Sequence, residues 1–154
     1  MSAKKANLTE KEFHKKMAVK LFNETSALLD KPDRTPIDDA KMIHLAHASR
    51  LHWEFVGSAQ HLAAGEWQVS RVHAVLRQLD SALYHAKQSL AIAENNNLGP
   101  FYLACGHEAV ARAFSITGHH AALAHIETAR KIALGITDPE EKKILDSDLA
   151  SIRV

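Results

Sequence analysis

The chain has 154 residues, 46% of them hydrophobic and 24% charged, and its formal net charge is +1. That length supports one domain with its own core, and the near-neutral balance gives no electrostatic case for nucleic acid or an anionic membrane as partner. A single cysteine, Cys105, rules out an internal disulfide; with no apolar run of membrane-spanning length and no signal peptide ahead of the first helix, a reducing cytoplasm is the expected setting.

Residues 1–8 are polar and expected to fray. Thr9, with Glu12 three residues on, reads as a capping box. It opens a helix to about Leu29 with Phe13, Met17, Leu21 and Leu28 on the inner face. Lysines at 4, 5, 11, 15, 16 and 20 interleave with Glu10, Glu12 and Glu24 and read as a solvated face. Pro32 stops this helix. Thr35 caps the second, with Pro36 at its first position and Asp38 and Asp39 in its first turn, and it runs to about Val56 before Gly57-Ser58. A third helix is expected over about 58–78, with Gly65 allowing a close helix contact, and a fourth over about 80–94. Asn95 to Pro100 is a loop. The fifth helix runs from about Pro100 to Thr117 and the sixth to about Leu134. Asp138, Pro139 and Glu141 open a seventh, polar outside with Ile144, Leu145, Leu149 and Ile152 inward, as suits the last element of a helical array.

The fourth helix carries a column of small residues, Ala82, Ala86, Ser89 and Ala93, that recurs forty residues on as Ala122, Ile126, Ala129 and Ala133. Ala82-Leu83-x-His85 likewise recurs as Ala122-Leu123-x-His125. A helical hairpin is repeated. The organisation expected is a degenerate first pair over 9–57, repeat units over 58–96 and 98–135, and a capping helix over 138–152.

Ser70, His73, Ala82, Ala86 and Ser89, and then Ala109, Arg112, Ala122, Ile126 and Ala129, fall at the offsets of the small and bulky positions of the tetratricopeptide repeat, which this pattern resembles. It departs from that family in its period of forty rather than about 34, in Ser70 and Ala109 for the usual glycine, in His73 and Arg112 for the usual aromatic, and in lacking the closing proline. The resemblance implies an all-α, right-handed stack of antiparallel helical hairpins, about seven helices in a short solenoid, with ligands bound along the groove of the first helices of each pair. The block Gly65-Glu66-Trp67-Gln68-x-Ser70-Arg71-Val72-x-Ala74-Val75-Leu76, followed by Ala82-Leu83-x-His85-Ala86, is also similar to uncharacterised bacterial proteins of this size, a likeness that brings no function with it.

Carried over by that resemblance, the groove positions are Ala64, Trp67, Arg71 and Ala74 in one unit and Leu103, Gly106, Val110 and Ala113 in the next, with Tyr102 on a mostly small-residue face of the fifth helix. Trp67 and Arg71 share a helix face. They suit a clamp for a peptide carboxylate; equally, Trp67 could pack on a neighbouring helix while Arg71 pairs with an acid. The expected function is a non-catalytic binding or scaffold module without a cofactor, its partner a peptide, another protein or a second copy of itself. Glu66, Ser70, His73 and Arg77 also form a column, read as a polar layer between helices, since neighbours on one helix do not converge on one reacting atom.

The eleven histidines are the compositional oddity. His44 and His47 share a face with Ile37, Ala40, Leu51 and Phe55. The alternative function is a divalent transition-metal protein or enzyme built on this pair, with a third ligand from His52, His61, His107 or Glu108. Interior histidines bonded across helices are the plainer reading. No zincin, di-iron, phosphate-loop, nucleophile-elbow or dinucleotide motif is present, and Cys105 reads as an inert core residue.

Overall fold

A capping box begins the first helix in the computed structural model, which describes residues 7–154: Thr9 Oγ1 accepts the Glu12 backbone N–H at 3.2 Å and Glu12 Oε2 accepts that of Thr9 at 2.8 Å. Residues 1–6 of the stretch expected to fray lie outside the described residues. Seven helices follow: α1 (Glu10–Asp30), α2 (Pro36–Val56), α3 (Ala59–Val75), α4 (Leu79–Asn95), α5 (Pro100–Ser115), α6 (Ala121–Ala133) and α7 (Pro139–Ala150). The same chemistry opens α2, where Thr35 and Asp38 cap reciprocally, and α7, where Asp138 Oδ1 accepts from Glu140 N at 2.8 Å. The third helix stops at Val75, three residues before its expected end. Arg77 there takes a left-handed φ of 59°, and the Gln78 N–H closes back on the His73 carbonyl at 2.9 Å. No described helix is long and apolar enough to cross a membrane.

The helices pack as adjacent pairs, α1 with α2, α3 with α4 and α5 with α6, joined through α2–α3 and α4–α5. The odd-numbered helices also approach one another backbone to backbone in succession, α1 to α3, α3 to α5 and α5 to α7, whereas among the described residues the even-numbered backbones stay apart and α2 meets α4 through the His47 and His85 rings. The stack is therefore drawn together on its odd side, in a solenoid-like arrangement of hairpins. Small residues make this possible. Ala82, Ala86, Ser89 and Ala93, with Ala122, Ile126, Ala129 and Ala133, are all buried. Where alanine bares the neighbouring backbone, a serine reaches it: Ser49 Oγ donates to Ala18 O, Ser70 Oγ to Ala82 O and Ser89 Oγ to Ala63 O, each within 2.9 Å. Two glycines mark close crossings: a Cβ at Gly106 would lie 2.8 Å from Leu90 Cα on α4, and one at Gly65 2.8 Å from Arg50 Cδ on α2.

One helix, α2, is rotated from expectation. On α1, Leu21 is buried and Met17 and Leu28 are half-buried, as expected, joined inside by Ala18 and Thr25; only Phe13, 46% exposed, turns outward. On α2, Ile37, Leu51 and Phe55 are exposed, and Met42, Ala46, Ser49 and Trp53 are buried. Since α2 is packed between α1 and α3, its buried face sets the small Ala46 and Ser49 between the larger Met42 and Trp53, and Ile37, Leu51 and Phe55 fall outside it. On α7, Leu145 and Leu149 are buried, as is Ile152 just beyond it, while Ile144 is exposed.

Candidate functional site

The odd-numbered helices supply most of the walls of two adjoining cavities. One, of about 260 Å³, is apolar: Phe22 from α1, Ala64 and Trp67 from α3, Phe101, Tyr102 and Cys105 from α5, and Ile144 from α7. The other, of about 680 Å³, is an open polar trough bounded by Ser26 and Asp30 at the end of α1, Arg71 on α3, and Glu140, Lys143 and Ser147 on α7. Trp67, Ile144 and Asp148 line both, so the two form one continuous groove.

Beneath the groove lies Glu108, 1% exposed. Its Oε2 accepts from Trp67 Nε1 at 2.8 Å, and its Oε1 from Arg71 Nη1 at 3.1 Å and Arg112 Nε at 2.7 Å. The second arm of Arg71 donates to Asp148 Oδ1 at 2.9 Å, and Arg112 Nη2 donates to Asp148 O and Ser151 Oγ, both at 2.8 Å. Two guanidinium groups thus balance two carboxylates, and α3, α5 and α7 are tied together through them. Of the two arrangements open for Arg71, the structure has the paired one. Its guanidinium also lies 5.5 Å from the Trp67 ring centre, so the pair forms a braced wall with no free cation to clamp an anion.

Ala64, Trp67, Arg71 and Tyr102 line the groove. Ala74 does not; it packs with Ala82 and Ala113 and borders a separate cavity beside Arg77 and Arg112. Val110 is corrected from groove to core: it is 2% exposed and packs with Ala86 and Ala109. Gly106 faces Leu90, Ala113 is fully buried, and Leu103 lines neither part of the groove. The physical reason is that α5 touches α3, α4, α6 and α7, so only its first turns, with Phe101, Tyr102 and Cys105, reach the groove. Burial pushes the Tyr102 hydroxyl and, further, the Cys105 thiol above their ordinary pKa values, which leaves Cys105 a poor nucleophile.

The polar column of α3 is bonded across helices. Ser70 reaches α4, and Arg77 Nη2 donates to Ile116 O at 2.8 Å. Glu66 Oε1 accepts from Arg50 Nε at 2.9 Å and its Oε2 from His85 Nδ1 at 2.6 Å. Burial works to raise the Glu66 carboxyl, but the His85 and Arg50 contacts outweigh it and hold the group below its ordinary value. His73 Nδ1 donates to Gln78 Oε1 at 2.6 Å, and its Nε2 lies 3.2 Å from His47 Nε2.

Among the described residues, His47, His73 and His85 are the histidines that come together as a trio, one each from α2, α3 and α4. The grouping expected from sequence is corrected. His44 is exposed and outside the trio. His52 Nδ1 pairs with His14 Nδ1 at 2.8 Å, His107 Nδ1 with His125 Nδ1 at 2.9 Å, His61 stacks on Trp53, and Glu108 serves the arginine network. Each of these side chains is engaged elsewhere, although His52 shares α2 with His47 and His61 shares α3 with His73. The signals missed were the repeated Ala-Leu-x-His motif, which carries His85, and the α3 column, which carries Glu66 and His73.

No family model, curated protein or solved structure matches the chain.

Proposed function

We propose that the protein is a non-catalytic, tetratricopeptide-like binding module whose groove takes an extended segment of a partner protein. The observation that carries this reading is the junction at Trp67, where an apolar bay meets a polar trough on a wall braced by Glu108. A bay of about 260 Å³ suits one large apolar side chain, and the trough offers Ser26, Asp30, Lys143 and Ser147 to a polar backbone beside it. With Arg71 already paired, specificity rests on shape and the apolar anchor rather than on a ligand carboxylate. Ala64, Trp67, Arg71 and Tyr102 are the proposed contact residues.

The test is selection of a displayed library of random linear peptides against the wild type and Ala64→Trp, which fills the bay. Enriched peptides should share an aromatic or long aliphatic anchor and lose binding to the variant while its helical circular dichroism is unchanged. Enrichment that ignores the filled bay, or none at all, rejects the proposal. A wild-type dimer that Ala64→Trp dissociates in sedimentation would replace the partner peptide with a second copy of the chain.

A further inference from the structure

We propose that His47, His73 and His85 form a binding site for a divalent first-row transition metal, Zn²⁺ foremost, with three imidazole ligands and a fourth position open to solvent. One ring nitrogen from each residue lies within 4.8 Å of the other two. His47 Nε2 and His73 Nε2 are 3.2 Å apart. Nitrogens bound to tetrahedral zinc at about 2.0–2.1 Å stand about 3.3–3.4 Å from one another, so this pair already has the spacing of two ligands. His47 is exposed, His73 is buried and His85 half-buried. A buried ligand, a half-buried one and an exposed one at the rim would let an ion enter from water and keep a coordination site there.

The second observation is what the other ring nitrogens do. His73 Nδ1 donates to Gln78 Oε1 and His85 Nδ1 to Glu66 Oε2, both at 2.6 Å. Each bond places the proton on Nδ1 and leaves Nε2 as the lone-pair nitrogen. An acceptor behind each imidazole is the arrangement that fixes ring orientation and raises ligand basicity at metal centres. Glu66 is itself 8% exposed and held by Arg50 Nε at 2.9 Å, so the brace behind His85 extends one shell further. A polar layer needed only to join α2, α3 and α4 would be satisfied by a donor and an acceptor at each contact. The His73 and His85 rings lie nearly parallel, 8° apart, and His47 meets both in a T-shape; with Nδ1 already engaged in two of the three, the cluster brings together more lone pairs than protons. The donor set, three neutral nitrogens and no thiolate, favours Zn²⁺, Co²⁺, Ni²⁺ or Cu²⁺ over Mg²⁺ or Ca²⁺. This site is independent of the groove, which uses Trp67 and Arg71 on the adjoining side of α3.

The experiment uses tag-free, chelator-stripped full-length protein titrated with Zn²⁺ in a calorimeter and with Co²⁺ in the visible spectrum. Wild type should take up one equivalent tightly, with intense visible bands of a four-coordinate cobalt centre, and show no response to Mg²⁺. His47→Ala, at an exposed position and checked for unchanged helical circular dichroism, should weaken binding by about tenfold or more, and Glu66→Gln should weaken it by about 10- to 100-fold. His44→Ala and the His107→Gln/His125→Gln pair should bind as wild type. Absence of a one-to-one complex in wild type overturns the proposal. So does a complex whose affinity is unchanged in a folded His47→Ala protein.

Discussion

Trp67 donates its indole N–H to Glu108 at 2.8 Å, from the wall of the groove to a carboxylate that is 1% exposed beneath it. The same carboxylate receives Arg71 and Arg112, so one buried acid orients the groove's largest ring and, with Asp148, balances two cations. Removing it leaves Asp148 as the one carboxylate facing two half-buried guanidinium groups. Glu108→Ala is expected to destabilise the fold by about 3–5 kcal/mol, the range for breaking one side of a buried ion pair. Glu108→Gln, which keeps an acceptor, should cost less. Urea unfolding followed by circular dichroism measures both; equal and small losses would mean that Glu108 is not the keystone of the three-helix contact.

Gly106 sets the distance between α4 and α5. The methyl of Gly106→Ala would stand 2.8 Å from Leu90 Cα, and backbone cannot swing aside as a side-chain tip can. The expected loss is about 1–3 kcal/mol, as for overpacking elsewhere, and it outweighs the roughly 1 kcal/mol that alanine gains over glycine in a helix. Gly135→Ala is the control, because its nearest neighbour would be 3.4 Å away and the site is exposed. If both variants melt at or above the wild-type temperature, α4 and α5 are not in backbone contact there.

Acid should loosen the α5–α6 pair. Burial, then the neighbouring His125, hold His107 below its ordinary value of 6.5 against an opposing pull from Glu94. Burial, then Lys87, do the same for His125, and burial, then His14, for His52. In the unfolded chain these rings return to about 6.5. Between that value and the lower folded ones the unfolded chain binds more protons, so stability rises with pH across the window. It is fully present above about pH 7 and is lost as pH falls through the folded values. The urea midpoint in chelator should therefore drop from about pH 7.5 to about pH 5.5, and the His107→Gln/His125→Gln protein should show a shallower drop. A midpoint that rises on acidification contradicts the burial of these rings.

The helices were legible in the sequence because their signals act within one turn. Thr9 with Glu12, Thr35 with Asp38, and Asp138 ahead of Pro139 cap through contacts three residues long or less. The repeat was legible because a crossing this close favours small residues on most turns, and Ala82 to Ala93 and Ala122 to Ala133, with Ile126 the one large member, keep that pattern visible. The rotation of α2 was not, for Ile37, Leu51 and Phe55 outscore Ala46 and Ser49 in hydrophobicity while the buried face sets that smaller pair between Met42 and Trp53. The groove was half legible. Trp67 and Arg71 stood out on one face, but their partners Glu108 and Asp148 are 37 residues or more away and no local rule reaches them. The histidine trio fails for the same reason, since three helices must first pack before His47, His73 and His85 are neighbours.

Asp148 holds the last helix to the array. Arg71 Nη2 reaches it at 2.9 Å from α3, while Arg112 grips its carbonyl and Ser151 from α5. Asp148→Asn keeps the shape and the backbone contact but removes the charge opposite Arg71, whose first arm stays on Glu108. A charge-assisted bond of this kind contributes about 1.5–3 kcal/mol, and part exposure of both side chains places the expected loss near the lower end. The change should be local, because α7 meets only α5 and α6 backbone to backbone and the rest of the stack does not depend on it. Hydrogen exchange should quicken by about tenfold at the Leu145 and Leu149 amides, with Val69 and Val72 in α3 little changed. Uniform acceleration across α3 and α7 would instead mean that the ion pair stabilises the whole fold and that the capping helix does not open by itself.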